Sequence, residues 1–169
     1  MHMFGRALVT AITVLGLLGA SAAPAFADEK GNLTDFSSMT PVTGAAVNTI
    51  NDRGLVGGRL PWVISTGAGT VGQDGTVDVT VTGLIIVVPP INGRNPVPFF
   101  KATVSCLTPD GVVNVSTGMF PASPAGNSHI HAVVDLPRPC KEPIIFVVAP
   151  TGQWFAKSNA DSQPEPWFC

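Results

Sequence analysis

Residues 95–106, Asn-Pro-Val-Pro-Phe-Phe-Lys-Ala-Thr-Val-Ser-Cys, set the architecture of this 169-residue chain. From Phe100 the apolar residues recur every second position: Phe100, Ala102, Val104 and Cys106 fall on one side, and Lys101, Thr103 and Ser105 on the other. A period of two is that of a β-strand with one buried face, and here it delivers a cysteine to the core side. A second alternating run, 128–136, places Ile130, Ala132, Val134 and Leu136 inward and His129, His131, Val133 and Asp135 outward. It ends at Pro137-Arg138-Pro139-Cys140. A Cys106–Cys140 bond between the strands that carry them predicts a stapled sandwich, with two sheets facing each other across one core.

Other runs carry the same signature. Thr76-Val-Asp-Val-Thr-Val-Thr82 alternates without a break and predicts a hairpin with a strand at 60–64, on which Trp62 and Ile64 share a face. Trp62 reads as a core anchor. Gly67 and Gly69 mark a bulge or a crowded crossing. Pro109-Asp110-Gly111 is a turn, and 112–117 returns from it. Residues 143–148 are apolar on both faces. Trp154 and Phe155 follow the Pro150-Thr151-Gly152 turn on opposite faces, one in the core and one under an N-terminal arm. Residues 89–98 and 120–127 are proline-rich loops. The sum is an all-β fold, an immunoglobulin-like antiparallel β-sandwich of seven to eight strands at 54–157.

The ends read differently. Arg6, the apolar run 7–20 and Ala25-Phe26-Ala27 have the form of a secretory signal, so 1–27 is expected to be removed. The apolar run is short for a membrane span, which needs roughly 20 residues. Residues 28–53 are expected to be a polar leader and an irregular arm laid over the sheet. Residues 158–169 are expected to be a mobile tail. Loss of 1–27 removes Arg6, leaving eight Lys/Arg against eleven Asp/Glu, a net charge of −3. That balance offers no basic footprint for nucleic acid, and the mature chain is expected to have no membrane span.

Several segments together carry a resemblance. They are Pro61-Trp62-Val63-Ile64, Asn95-Pro96-Val97-Pro98 with Ala102-Thr103-Val104-Ser105-Cys106-Leu107, Phe120-Pro121-Ala122, Leu136-Pro137-x-Pro139-Cys140, Pro143-Ile144-Ile145-Phe146-Val147, and Pro150-Thr151-Gly152-x-Trp154-Phe155-Ala156. The chain resembles a group of small secreted bacterial proteins of unknown function. The likeness covers most of 41–156 and implies a bacterial, exported, two-cysteine domain. It implies no activity and no site residues.

The candidate chemistry is sparse. Export favours disulfides, and Cys106–Cys140 is the expected pair among three cysteines. Cys169 is then left over and available for an intermolecular disulfide. His129-Ile130-His131 is the one metal-like constellation, because residues i and i+2 of a strand point the same way; Asp135 lies on the same face. The pair is similar to one fragment of copper/zinc superoxide dismutase, but the mature chain has no other histidine to assemble that enzyme's sites. There is no Gly-x-Ser-x-Gly elbow and no Cys-x-x-Cys. The spacing of Asp74, Asp78, Asp110, Asp135 and Glu142 selects no catalytic pair. No catalytic residue and no cofactor is expected. The sequence points to a secreted, non-catalytic interaction or envelope-associated domain with a protein or glycan partner, touching it through the proline-rich loops or the Trp167-Phe168 tail. The alternatives are a metal-binding module built on His129 and His131, completed across a dimer, and an unrecognised secreted hydrolase.

Overall fold

The computed structural model describes residues 31–160. The expected signal segment, Cys169 and the Trp167-Phe168 tail lie outside them. Among the described residues twelve strands are formed: β1 (Asn32–Phe36), β2 (Met39–Pro41), β3 (Trp62–Val63), β4 (Thr66–Gly72), β5 (Thr76–Thr82), β6 (Ile85–Ile86), β7 (Phe99–Thr108), β8 (Gly111–Ser116), β9 (Phe120–Pro121), β10 (Ser128–Val133), β11 (Lys141–Val148) and β12 (Trp154–Ser158). One turn of 3-10 helix, Gly44–Ala46, interrupts them.

The strands form an all-β sandwich of antiparallel sheets. One sheet has the order β1-β4-β5-β10. The other has the order β2-β12-β11-β7-β8, with β9 added beside β7. A two-stranded ribbon, β3-β6, sits apart from both. The inner faces follow the alternation read from the sequence. Val77, Val79, Val81 and Ile130 of the first sheet share one core with Phe100, Ala102, Val104, Ile145 and Val147 of the second. Close packing of such apolar residues across two sheets is the main source of the fold's stability.

The strand count exceeds seven or eight because β1, β2, β4 and β9 add to the expected runs. β9 has two residues, too few to show a period, and the strand expected at 60–64 is formed only over the two residues of β3. The stretch expected as a polar leader supplies β1, and the start of the expected arm supplies β2, one to each sheet. The partner of β5 also differs from expectation. β5 forms its hairpin with β4, Gly69 opposite Val79, while Trp62 pairs with Ile86. β4 was hidden by its glycines, which do lie at a crowded crossing. A Cβ on Gly69 would strike the Asp78 carbonyl of β5 and the Phe36 ring.

The Cys106–Cys140 disulfide is present, with its Cα atoms 4.8 Å apart. It does not bridge the two sheets. Cys106 lies in β7, and Cys140 immediately precedes β11, its neighbour in the same sheet, where Lys141 pairs with Leu107. In immunoglobulin domains the corresponding bond links sheet to sheet. Here it clamps the end of the crossover that carries the chain from β10 to β11.

An arm does lie over the outer face of the second sheet. Gly57 bridges Trp154 in parallel, and the Trp154 N–H donates to Val56 O. Arg53 is buried, and its guanidinium donates to the carbonyls of Ser105 (3.3 Å) and Glu142 (3.1 Å). The register of β11 against β12 shifts between Val147 and Val148. That bulge sends Phe155 and Ala156 inward and leaves Trp154 under the arm, edge-on to Phe146.

Candidate functional site

The proline-rich loops meet at one end of the sandwich, and a single side chain joins them. Asn95 is buried, although it stands in a loop. Its Oδ1 accepts from Val97 N–H (2.8 Å), the ring closure of an Asx turn. Its Nδ2 donates to Val97 O (2.6 Å) and to Ser123 O (3.0 Å) in the other loop. Its backbone N–H donates to Pro124 O (2.8 Å). Asn95 therefore laces 89–98 to 120–127. The sequence signal was the Asn-Pro pair, which marks a turn but says nothing of burial.

The Asx turn sets Pro96-Val97-Pro98 as one wall of a cavity of about 400 Å³. The floor is aromatic. Trp62 and Phe155 stack with centroids 4.0 Å apart, and Phe100 stands edge-on to both. The opposite wall is the turn at Ala149, Pro150 and Thr151; Leu60 and Ile86 complete the lining. Gly58 lies against the stack so closely that a Cβ there would press on Trp62 Nε1 and Phe155 Cδ1. The one charged residue in the lining is the exposed Arg59. The volume lies within the range of small-ligand pockets, about 300–1,000 Å³, and the lining is of the apolar kind that such pockets have. Trp62, expected in the core, is buried and also floors this cavity.

The histidine pair lies elsewhere, on the outer face of the first sheet. His129 and His131 are exposed, as expected. Their carboxylate is not Asp135, which lies beyond the last residue of β10. It is Asp78 of β5, directly opposite His131. Asp78 Oδ1 accepts from His129 Nε2 (3.0 Å), and Oδ2 accepts from His131 Nδ1 (2.8 Å). Burial pushes the Asp78 carboxyl up, but the hydrogen bonds from His131 and His129 and their charges together outweigh it and hold it below its ordinary 3.8. The cross-strand neighbour was missed because sequence alternation identifies a face but not the register between strands. Among the described residues no group of three or more His, Cys, Asp or Glu side chains forms a metal site.

A second cavity, about 470 Å³, opens beside the arm between β1 and the start of β11. Arg53 reaches its wall, with Glu142 Oε2 3.9 Å from Nη2. Glu142 has φ +44, an uncommon conformation for a residue with a Cβ. Two buried polar atoms on this side, Ser105 Oγ and Trp154 Nε1, have no hydrogen-bond partner among the described residues. Arg53 is already engaged by two carbonyls, so its main effect is to fasten the arm.

No protein-family model, no curated protein and no solved structure matches the chain. Among the described residues no helix is long and apolar enough to cross a membrane.

Proposed function

We propose that this chain is an exported, non-catalytic binding domain that takes an apolar group of its partner into the proline-walled cavity. The observation that carries the reading is the cavity itself: a stacked Trp62–Phe155 floor, prolines on two walls, and one cation, Arg59, in the lining. Such a surface gains free energy by removing apolar area from water, at about 25 cal/mol per Å². Arg59 favours a ligand with an anionic end. The cavity lies among loops at the end of a sandwich, where this architecture commonly places recognition. Export is supported by the signal-like segment 1–27 and by the disulfide, a bond that persists in oxidising compartments.

An apolar anionic probe tests the reading. Anilinonaphthalene sulfonate should bind saturably at one site and quench tryptophan emission as it does. Val97→Asp and Arg59→Glu should each weaken it about tenfold or more, which is roughly 1.4 kcal/mol. Non-saturable binding, or binding indifferent to both substitutions, would remove the cavity from the argument.

A further inference from the structure

We infer that His129 and His131 form half of a divalent-metal site that a second copy of the chain completes by pairing edge to edge along β10. The inference begins with the imidazole tautomers. An ionised carboxylate only accepts hydrogen bonds. With Asp78 ionised, the His129 Nε2 and the His131 Nδ1 that face it both carry protons. The neutral rings then hold their lone pairs on His129 Nδ1 and His131 Nε2. Those atoms are directed away from Asp78, and so away from β5. A carboxylate holding one ring nitrogen so that the other can ligate is the usual support of a metal-bound histidine.

Away from β5 lies the open side of β10. β10 is the edge of its sheet. The Val134 N–H donates to Gly75 O across from β5 (2.9 Å). Antiparallel alternation then turns the N–H and C=O of Ile130 and Ala132 to β5, and those of His129, His131 and Val133 to the open side. Among the described residues, the backbone of those three makes no bond outside the sheet ladder. No proline or lysine interrupts Ser128–Val133, and Val133 is 71% exposed. Such an unblunted edge is a template for another strand.

One register suits a two-fold pair. Centring the axis at Ile130 sets His129 opposite His131 of the second copy, and His131 opposite its His129. Both are open-side residues, so the backbone bonds form as well. Opposite Cβ atoms in such a pair lie about 5 Å apart, and residues i and i+2 about 6.6 Å apart. Four imidazoles then share one patch, with an Asp78 on either side. Two carboxylates and four neutral rings carry two negative charges, which a dication balances. Four nitrogen ligands on a tetrahedral centre suit zinc. Among the described residues one chain brings together no three-ligand site, and the second copy supplies the remaining ligands.

The test uses the purified chain with Cys169→Ser, so that no terminal disulfide can make a dimer. Zinc chloride should convert monomer to dimer in sedimentation, at one zinc per two chains, and a chelator should reverse it. Cobalt(II) in place of zinc should give the intense visible bands of tetrahedral coordination. His129→Ala and His131→Ala, both exposed positions, should abolish zinc-driven dimerisation while the circular-dichroism spectrum is unchanged. Asp78→Asn should weaken zinc affinity by about 10–100-fold without removing it. One zinc per monomer, an octahedral cobalt spectrum, or dimerisation that survives the histidine substitutions overturns the inference.

Discussion

Replacing both Cys106 and Cys140 by alanine should lower the melting temperature by about 14 °C. The bond closes a loop of 34 positions. Loop-closure entropy for that length gives about 3.8 kcal/mol at 25 °C. The span 31–160 should unfold with an entropy of roughly 270 cal/mol/K, at about 2.1 cal/mol/K per residue. Dividing one by the other gives the shift. Native contacts change little, because the substitutions remove only the two sulfur atoms, one buried and one half-buried. The effect should therefore arise mostly in the unfolded chain, which expands once the link is gone.

Two readouts separate that mechanism from simple loss of packing. Thermal melts give the size of the effect. Urea titration gives its origin, since a more expanded unfolded state exposes more surface and raises the m-value. Hydrogen exchange should also quicken at Lys141 and Glu142, where the β11–β7 ladder is irregular before Ile144 and the disulfide lies next to the gap. A shift below about 4 °C with an unchanged m-value would refute the entropic account and show that β7–β11 pairing alone fixes the crossover.

Three further outcomes follow from particular contacts. Arg53→Met should cost about 3 kcal/mol in urea titration, because charge-assisted bonds to the Ser105 and Glu142 carbonyls contribute about 1.5–3 kcal/mol each; protease cleavage within 43–58 should appear with it. Gly75→Ala should cost about 2 kcal/mol or more by thermal melt, since Gly75 has φ +86 and a Cβ there would strike the Val134 carbonyl. Asp78→Asn should erase a pH-dependent contribution: the folded-state pKa lies below 3.8, so the stabilisation is complete above that value and is lost as pH falls through the folded value. Urea midpoints of wild type and variant should therefore differ above pH 3.8 and converge as pH falls below it.

The fold was legible wherever one face of a strand is buried and the other is wet. β5 and β10 meet that condition, while β7 keeps the alternation of residue types although its outer Thr103 and Ser105 are buried; the inward residues of all three are the ones read from the sequence. β4 does not, because Gly67 and Gly69 stand where apolar side chains would mark the inner face. β1 was masked by its polar residues, Asn32, Thr34 and Asp35, which suit an outer strand as well as a leader. The disulfide pairing was legible, but its place within one sheet was not, since strand order is set by contacts between segments far apart in the chain. The same gap hid Asp78. Its 51-residue separation from His129 leaves no local trace, whereas Asp135 is close in sequence and lies beyond the end of the strand. Arg53 was missed for a related reason, as a cation between Asp52 and Gly54 in an irregular arm gives no sign of burial.

Asn95 tests whether the cavity is preformed. A binding surface built from loops usually loses affinity to the ordering of those loops. Here Pro96 and Pro98 fix φ on either side of Val97, and Asn95 holds Val97 by both its N–H and its C=O. Asn95→Ala would remove three side-chain bonds, each contributing about 1 kcal/mol, and would leave Ser123 O without that donor. The sheets do not depend on those bonds, so global stability should fall by only about 2–3 kcal/mol. The probe's affinity should fall by more than that of Val97→Ala, because the whole wall loses its position rather than one side chain its bulk. Equal affinities for the two variants would mean that the prolines alone hold the wall, and that Asn95 serves the seam between the loops and not the cavity.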